Sequence, residues 1–134
     1  MMRSAGLKTF LLLLLLITGI GKIKGQDESH FQGLTVEEFF KKVNIKDTSV
    51  FVYFNADWCV PCVKLKPVIK DLEKEYQGKI KFLILDVDKN PEISLHFEIN
   101  TLPYFSIYKN SKEVWHKNIF MSKEKLAAAL NQYK

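Results

Sequence analysis

The chain has 134 residues, of which 47% are hydrophobic and 26% charged, and these values indicate one globular domain and exclude a disordered chain. The formal net charge is +5, but four of the 20 basic side chains lie in the first 25 residues, which contain no acid. The remaining 16 basic and 15 acidic side chains nearly balance, so the composition argues against nucleic-acid binding.

Residues 1–25 have the layout of a secretory signal peptide. Two basic residues precede the apolar run 10–17, and small residues follow it. The run is too short for a transmembrane helix, which needs about 20 apolar residues, so no stable membrane anchor is expected. Cleavage near Gly21 or Gly25 would release a domain of residues 26–134 outside the cytoplasm, in the periplasm or the extracellular space.

The rest of the sequence predicts alternating helices and strands. Thr35 and Glu38 form a capping box at the start of the first helix, and Ser122 caps the last one. The other predicted helices cover residues 61–76, in which Pro67 should cause a kink, and 91–97. The predicted strands cover residues 50–54 and 80–87, both buried, and 104–108 and 113–117, which are joined by a tight turn at Asn110-Ser111. This order indicates an α/β fold with a central mixed sheet and helices on both faces.

The segment Trp58-Cys59-Val60-Pro61-Cys62 follows a predicted strand and opens a predicted helix. Two residues between the cysteines place both sulfurs on one helical face, within reach of each other. The unpaired amides and the dipole at a helix N-terminus should stabilise a thiolate at Cys59, which would make it an effective nucleophile. Pro61 suits the first helical turn, where its missing N–H would have no partner.

Three other roles for the cysteine pair fit its surroundings less well. A structural disulfide would suit an exported protein, but such a short loop constrains the unfolded chain little. A zinc site needs about four ligands, and His30, His96 and His116 lack ligand spacing. Two plain core cysteines would leave Trp58 and Pro61 unexplained. The pattern therefore favours a redox-active pair.

Over residues 31–134 the sequence resembles the thioredoxin family. The matching segments are Phe54-x-Ala56-x-Trp58-Cys59-Val60-Pro61-Cys62, Pro67, Asp88-x-Asn90-Pro91 and Thr101-Leu102-Pro103. The resemblance implies the thioredoxin fold, in which a central mixed β-sheet is flanked by helices on both faces. It also implies a cis peptide bond before Pro103, close to the cysteine pair, and a Leu102 backbone that can pair with a substrate segment.

The resemblance implies a thiol–disulfide oxidoreductase that acts on protein disulfides by dithiol–disulfide exchange. Cys59 would attack the substrate disulfide as the nucleophile, and Cys62 would resolve the mixed disulfide. No metal and no organic cofactor are required, because the two sulfurs carry the electrons. The residues implied to support the site are Trp58, Val60, Pro61 and Pro103, and those implied to contact substrate are Trp58 and Leu102.

Several positions depart from the family pattern. Tyr53 stands where thioredoxins hold a buried acid, and Ile84 stands where a lysine accompanies that acid. A phenol has a pKa of about 10 and is a poor base at neutral pH. The proton of Cys62 must then go to water, a substrate group or another residue, of which Asp57 is near in sequence. Val63 stands where the family has a basic residue directly after the second cysteine. Ile119 stands where the family has a glycine before the last helix.

The sequence thus predicts an exported reductant of protein disulfides that serves redox homeostasis in the cell envelope. Val60-Pro61 favours reduction, since no histidine lies between the cysteines to stabilise the thiolate further. A reductant outside the cytoplasm needs an electron source, expected to be a membrane reductase. Two alternatives stay open: an exported disulfide donor, and a non-catalytic binding module with the thioredoxin fold.

Overall fold

The computed structural model describes residues 33–134, so the predicted signal peptide, its cleavage sites and His30 lie outside the described residues. The helices of the described part are α1 (Val36–Val43), α2 (Val60–Glu75), α3 (Pro91–His96) and α4 (Lys123–Tyr133). The strands are β1 (Ser49–Asn55), β2 (Ile80–Asp86), β3 (Tyr104–Lys109) and β4 (Lys112–Lys117). None of these helices combines the length and the hydropathy that a membrane crossing requires.

The described strands form one mixed sheet in the order β2-β1-β3-β4. β1 runs parallel to β2 and antiparallel to β3, and β3 runs antiparallel to β4. The residue pairs at one end of the sheet are Asn55 with Asp86, Phe54 with Tyr104, and Phe105 with Lys117. The segments that follow β1, β2 and β4 and the segment that precedes β3 therefore meet at this end, which we call the site end of the sheet.

Each face of the sheet is covered by two helices, as predicted. Phe51 and Tyr53 of β1 face the cluster that contains the buried side chains of α2 and α4. Val50 and Val52 face the opposite cluster, which contains the buried side chains of α1 and α3. Every residue of β1 is buried, because β1 has a strand on either side and helices above and below. The central strand thus provides a rigid support for the segment that follows it.

The sequence patterns locate the element ends well. Thr35 and Glu38 form the predicted capping box, and the Ser122 hydroxyl accepts from the Lys125 N–H. Asn110 and Ser111 both have positive φ, as a two-residue hairpin turn requires.

The prediction that the second strand is buried is wrong. β2 lies at the edge of the sheet, and the Ile84 side chain is 48% exposed because no strand of the described residues covers that edge.

Glu98 is a residue at which a substitution should stabilise the fold. It follows the end of α3 with φ of 50°, a conformation that favours glycine. The Glu98 N–H donates to the Leu95 carbonyl and the Ile99 N–H donates to the Ser94 carbonyl, which is the pattern of a Schellman motif. A carboxylate at a helix C-terminus is also unfavourable.

We therefore expect Glu98→Gly to raise the free energy of unfolding by about 1 kcal/mol, since it removes a left-handed conformation from a residue with a side chain. Urea denaturation measures the change. Gln77→Gly is the matched control, because Gln77 is exposed in the turn after α2 and does not have positive φ. Glycine there should lower stability by about 0.5–1 kcal/mol. Equal destabilisation by both substitutions would contradict the prediction.

Candidate active site

The two cysteines lie at the N-terminus of α2 and are joined by a disulfide. Cys59 is the N-cap residue, and its Sγ accepts a hydrogen bond from the Cys62 backbone N–H at 3.3 Å. The Cys59 residue is 5% exposed and Cys62 is fully buried. On reduction, the same N–H and the helix dipole would stabilise negative charge on the Cys59 sulfur. The geometry thus favours Cys59 as the attacking sulfur and Cys62 as the resolving one, and these two roles stay predictions.

Val60 and Pro61 form the first turn of α2, and the missing N–H of Pro61 falls where helical amides have no carbonyl partner. Val60 is 66% exposed and points away from the core. Pro67 lies inside α2, which continues through it as one helix.

Trp58 is 67% exposed, and its indole N–H donates to the Asp88 carboxylate at 2.8 Å. Asp88 belongs to the segment that follows β2, so this bond joins two segments at the site end of the sheet. The pattern Asp88-x-Asn90-Pro91 was part of the resemblance, but it carries no signal that pairs Asp88 with a tryptophan 30 residues away. This bond fixes the ring of Trp58 beside the cysteine pair.

Asp57 is poorly suited to take a proton from Cys62, because it is exposed and paired with a cation. Its side chain is 71% exposed and forms an ion pair with Lys66 Nζ at 2.9 Å. The hydrogen bond from Lys66 and the charge of that residue lower the pKa of Asp57. A carboxylate with a lowered pKa and an exposed position is a weak base for a buried thiol.

Tyr53 is buried beneath the start of α2, and its ring stacks on Phe105 with a centroid distance of 5.2 Å. The Tyr53 hydroxyl donates to the Cys62 carbonyl oxygen at 3.3 Å. Burial raises the pKa of Tyr53 to about 12. The phenol is therefore protonated at neutral pH and serves as a hydrogen-bond donor to the backbone of Cys62. The resemblance to the family marked Tyr53 as a departure from the family pattern, but it did not indicate this contact.

The segment before β3 completes the site. The expected cis peptide bond between Leu102 and Pro103 is present. Pro103 is buried, whereas Leu102 is partly buried and contacts the cluster that contains both cysteines. The backbone pairing of Leu102 with a substrate segment stays a prediction. Within residues 33–134, no group of three or more His, Cys, Asp or Glu side chains is arranged to hold a metal ion.

Comparison with known proteins identifies this arrangement. The family model described as Thioredoxin matches residues 30–132. A thioredoxin of Rickettsia felis is 38% identical over 80 residues, which cover 60% of this chain and 76% of that protein. A thioredoxin of Staphylococcus haemolyticus is 37% identical over 90 residues, which cover 67% of this chain and 86% of that protein.

The fold is also that of a solved thioredoxin. The X-ray structure of Fasciola hepatica thioredoxin superposes with a TM-score of 0.68 at 30% identity, over 75% of this chain and 95% of that one. The chain therefore belongs to the thioredoxin family and is a thiol–disulfide oxidoreductase with a Cys-x-x-Cys pair.

Proposed function

We propose that the chain acts outside the cytoplasm, in the cell envelope, as a reductant of protein disulfides that receives its electrons from a membrane reductase. The observation that supports a reducing rather than an oxidising role is that both residues between the cysteines are apolar. Only Val60 and Pro61 lie between them, so the single group that the described structure shows on Cys59 Sγ is the Cys62 amide. A cationic side chain between the cysteines would stabilise the Cys59 thiolate and make the cysteine pair more oxidising.

In the proposed reaction, the Cys59 thiolate attacks one sulfur of the substrate disulfide and the other substrate sulfur leaves as a thiolate. Cys62 then attacks the Cys59 sulfur and releases the second substrate thiol. The substrate gains two electrons and two protons, and the protein is left as the Cys59–Cys62 disulfide. A reductase must return it to the dithiol, and outside the cytoplasm that reductase must carry electrons across a membrane.

Export is supported by residues 1–25, with their basic start, apolar run and small residues. Expression in cells with an envelope, followed by fractionation and N-terminal sequencing, tests it. The expected product is exported and begins at Lys22 or Gln26. A product that retains residues 1–25 in the cytosol would overturn the proposed location.

The direction is tested by equilibrating the protein with glutathione buffers and measuring the fraction of reduced protein. We expect a potential below about −230 mV, in the range of reducing family members. Val60→His should raise it by about 30 mV or more, because a cationic imidazole would stabilise the thiolate. Val63→His is the matched control, since Val63 is exposed on the same helix but does not lie between the two cysteines. A wild-type potential between about −180 and −120 mV would instead indicate a disulfide donor.

A further inference from the structure

A cavity of about 390 Å³ is lined by residues of β1, β2 and α2, and the exchange reaction described above does not involve it. Its apolar side chains are Tyr53 of β1, Ile69 of α2 and Ile84 of β2. Tyr53 and Ile69 are buried in the core, whereas Ile84 is 48% exposed. The cavity thus extends from the surface to the core, and its volume is that of a pocket for a small molecule.

Asn55 supplies a hydrogen-bond acceptor to this cavity. It is the last residue of β1, it is 8% exposed, and its Nδ2 donates to the Leu85 carbonyl at 3.1 Å, which fixes the orientation of the amide. No described residue donates to Asn55 Oδ1. Within residues 33–134, only the Ser106 hydroxyl is fully enclosed without a hydrogen-bond partner, so Asn55 Oδ1 is reached from the cavity that its side chain lines. This oxygen is therefore available to an N–H or O–H group of a ligand.

Two exposed side chains of opposite charge line the same cavity without an ion-pair partner. Lys70 and Glu73 belong to α2 and form no ion pair with any described residue. Lys66, the other charged residue of the lining, is already paired with Asp57 at 2.9 Å. A ligand can therefore place a carboxylate at Lys70 and an ammonium group at Glu73.

The acceptor and the two free charges lie at different places along the cavity. The ion pair between Lys66 and Asp57 brings the Lys66 end of the lining close to Asn55, which is two residues before Asp57. Lys70 and Glu73 come four and seven residues after Lys66, which is about 6 and 10 Å further along the axis of α2. A ligand that meets all three groups thus has a donor at one end, opposite charges at the other and an apolar body between them.

We propose that this cavity binds a free aromatic amino acid whose ring carries an N–H or O–H group, with tryptophan as the fullest match. The ring lies among the apolar side chains of the lining and donates to Asn55 Oδ1. The α-carboxylate binds Lys70 and the α-ammonium group binds Glu73. Apolar burial supplies affinity, while the three polar contacts fix the orientation of the ligand. The site uses neither cysteine sulfur, so the inference does not depend on the proposed function.

Isothermal titration calorimetry of the oxidised protein with L-tryptophan tests the proposal. We expect saturable binding of one ligand with a Kd of about 1 mM or tighter. Three analogues each lack one recognised group: 1-methyl-L-tryptophan lacks the ring N–H, tryptamine the carboxylate and indole-3-propionate the ammonium group. Each should bind about tenfold more weakly, because one protein group is then left without its partner.

Two variants assign the charged contacts. Lys70→Gln should weaken the binding of L-tryptophan about tenfold and leave that of tryptamine unchanged, since tryptamine has no carboxylate. Glu73→Gln should weaken L-tryptophan to a similar extent without weakening indole-3-propionate. Lys74→Gln is the matched control, because Lys74 is exposed one turn after Lys70, forms no ion pair with a described residue and does not line the cavity.

The proposal is overturned if L-tryptophan shows no saturation up to about 10 mM, if 1-methyl-L-tryptophan binds as tightly, or if Lys74→Gln weakens binding as much as Lys70→Gln. N-acetyl-L-tryptophanamide has the ring but neither charge and represents a tryptophan within a polypeptide. Equally tight binding of this compound would assign the cavity to a side chain of a partner protein and would also overturn the proposal. An oxidising potential or a cytosolic product, which would contradict the proposed function, leaves these titrations unchanged.

Discussion

Replacing Cys59 with serine should lower the rate of protein disulfide reduction to less than about one thousandth of the wild-type rate, because a serine hydroxyl is not a nucleophile toward disulfides at neutral pH. The hydrogen bond from the Cys62 amide to Cys59 Sγ at the front of α2 is the reason for choosing this sulfur. Reduction of insulin by a dithiol donor, followed as turbidity, measures the loss.

Cys62→Ser should fail in a different way. Its Cys59 still attacks, but no second sulfur is present to release the product, so the protein accumulates as a mixed disulfide with its substrate. Non-reducing electrophoresis distinguishes the two variants: a covalent complex is expected with Cys62→Ser and none with Cys59→Ser. The reverse result would exchange the two roles. Full turnover by both variants would contradict dithiol exchange altogether.

Tyr53→Asp should accelerate the release of product from the mixed disulfide at pH 7 by about a hundredfold, the scale of a well-placed general base. In the wild type, the Tyr53 hydroxyl already donates to the Cys62 carbonyl, and burial raises its pKa to about 12. It cannot accept the proton of Cys62 at neutral pH. The wild-type release rate should therefore rise with pH until Cys62 itself ionises, whereas the variant should show the titration of the new carboxyl as well.

Tyr53→Asp should also lower the stability of the fold, so a second, compensated variant is needed. Tyr53 is almost fully buried, and loss of its ring should cost about 3–5 kcal/mol. Ile84 is the register partner of Tyr53 on β2, and both line a cavity of about 390 Å³ that opens beside α2. Adding Ile84→Lys supplies a cation next to the new carboxylate, so the double variant is the second form to be measured.

Stopped-flow measurement of product release from a preformed mixed disulfide checks the acceleration. Tyr53→Phe is the control, because it removes the hydroxyl, keeps the ring and should leave the release rate unchanged. If a folded Tyr53→Asp protein, alone or with Ile84→Lys, released product at the wild-type rate, water would already serve as well as a carboxylate and the prediction would be wrong.

Much of the fold could be predicted because its signals are local. The Thr35 and Ser122 caps, the Asn110-Ser111 turn and the position of Cys59 before a helix each depend on a few neighbouring residues. The exposure of β2 could not be predicted in this way. The sequence of a strand shows its apolar residues, but its place at the edge or the centre of a sheet depends on pairing with distant strands.

The exchange chemistry can be predicted from local sequence, because it needs two cysteines separated by two residues at a helix start. The surroundings of the two cysteines depend on the tertiary structure. It bonded Trp58 to Asp88, placed the Tyr53 hydroxyl on the Cys62 carbonyl and brought Asn118 to Thr101 at the site end of the sheet. These contacts join residues far apart in the chain, and strand order and register, which no local pattern contains, are what bring them together.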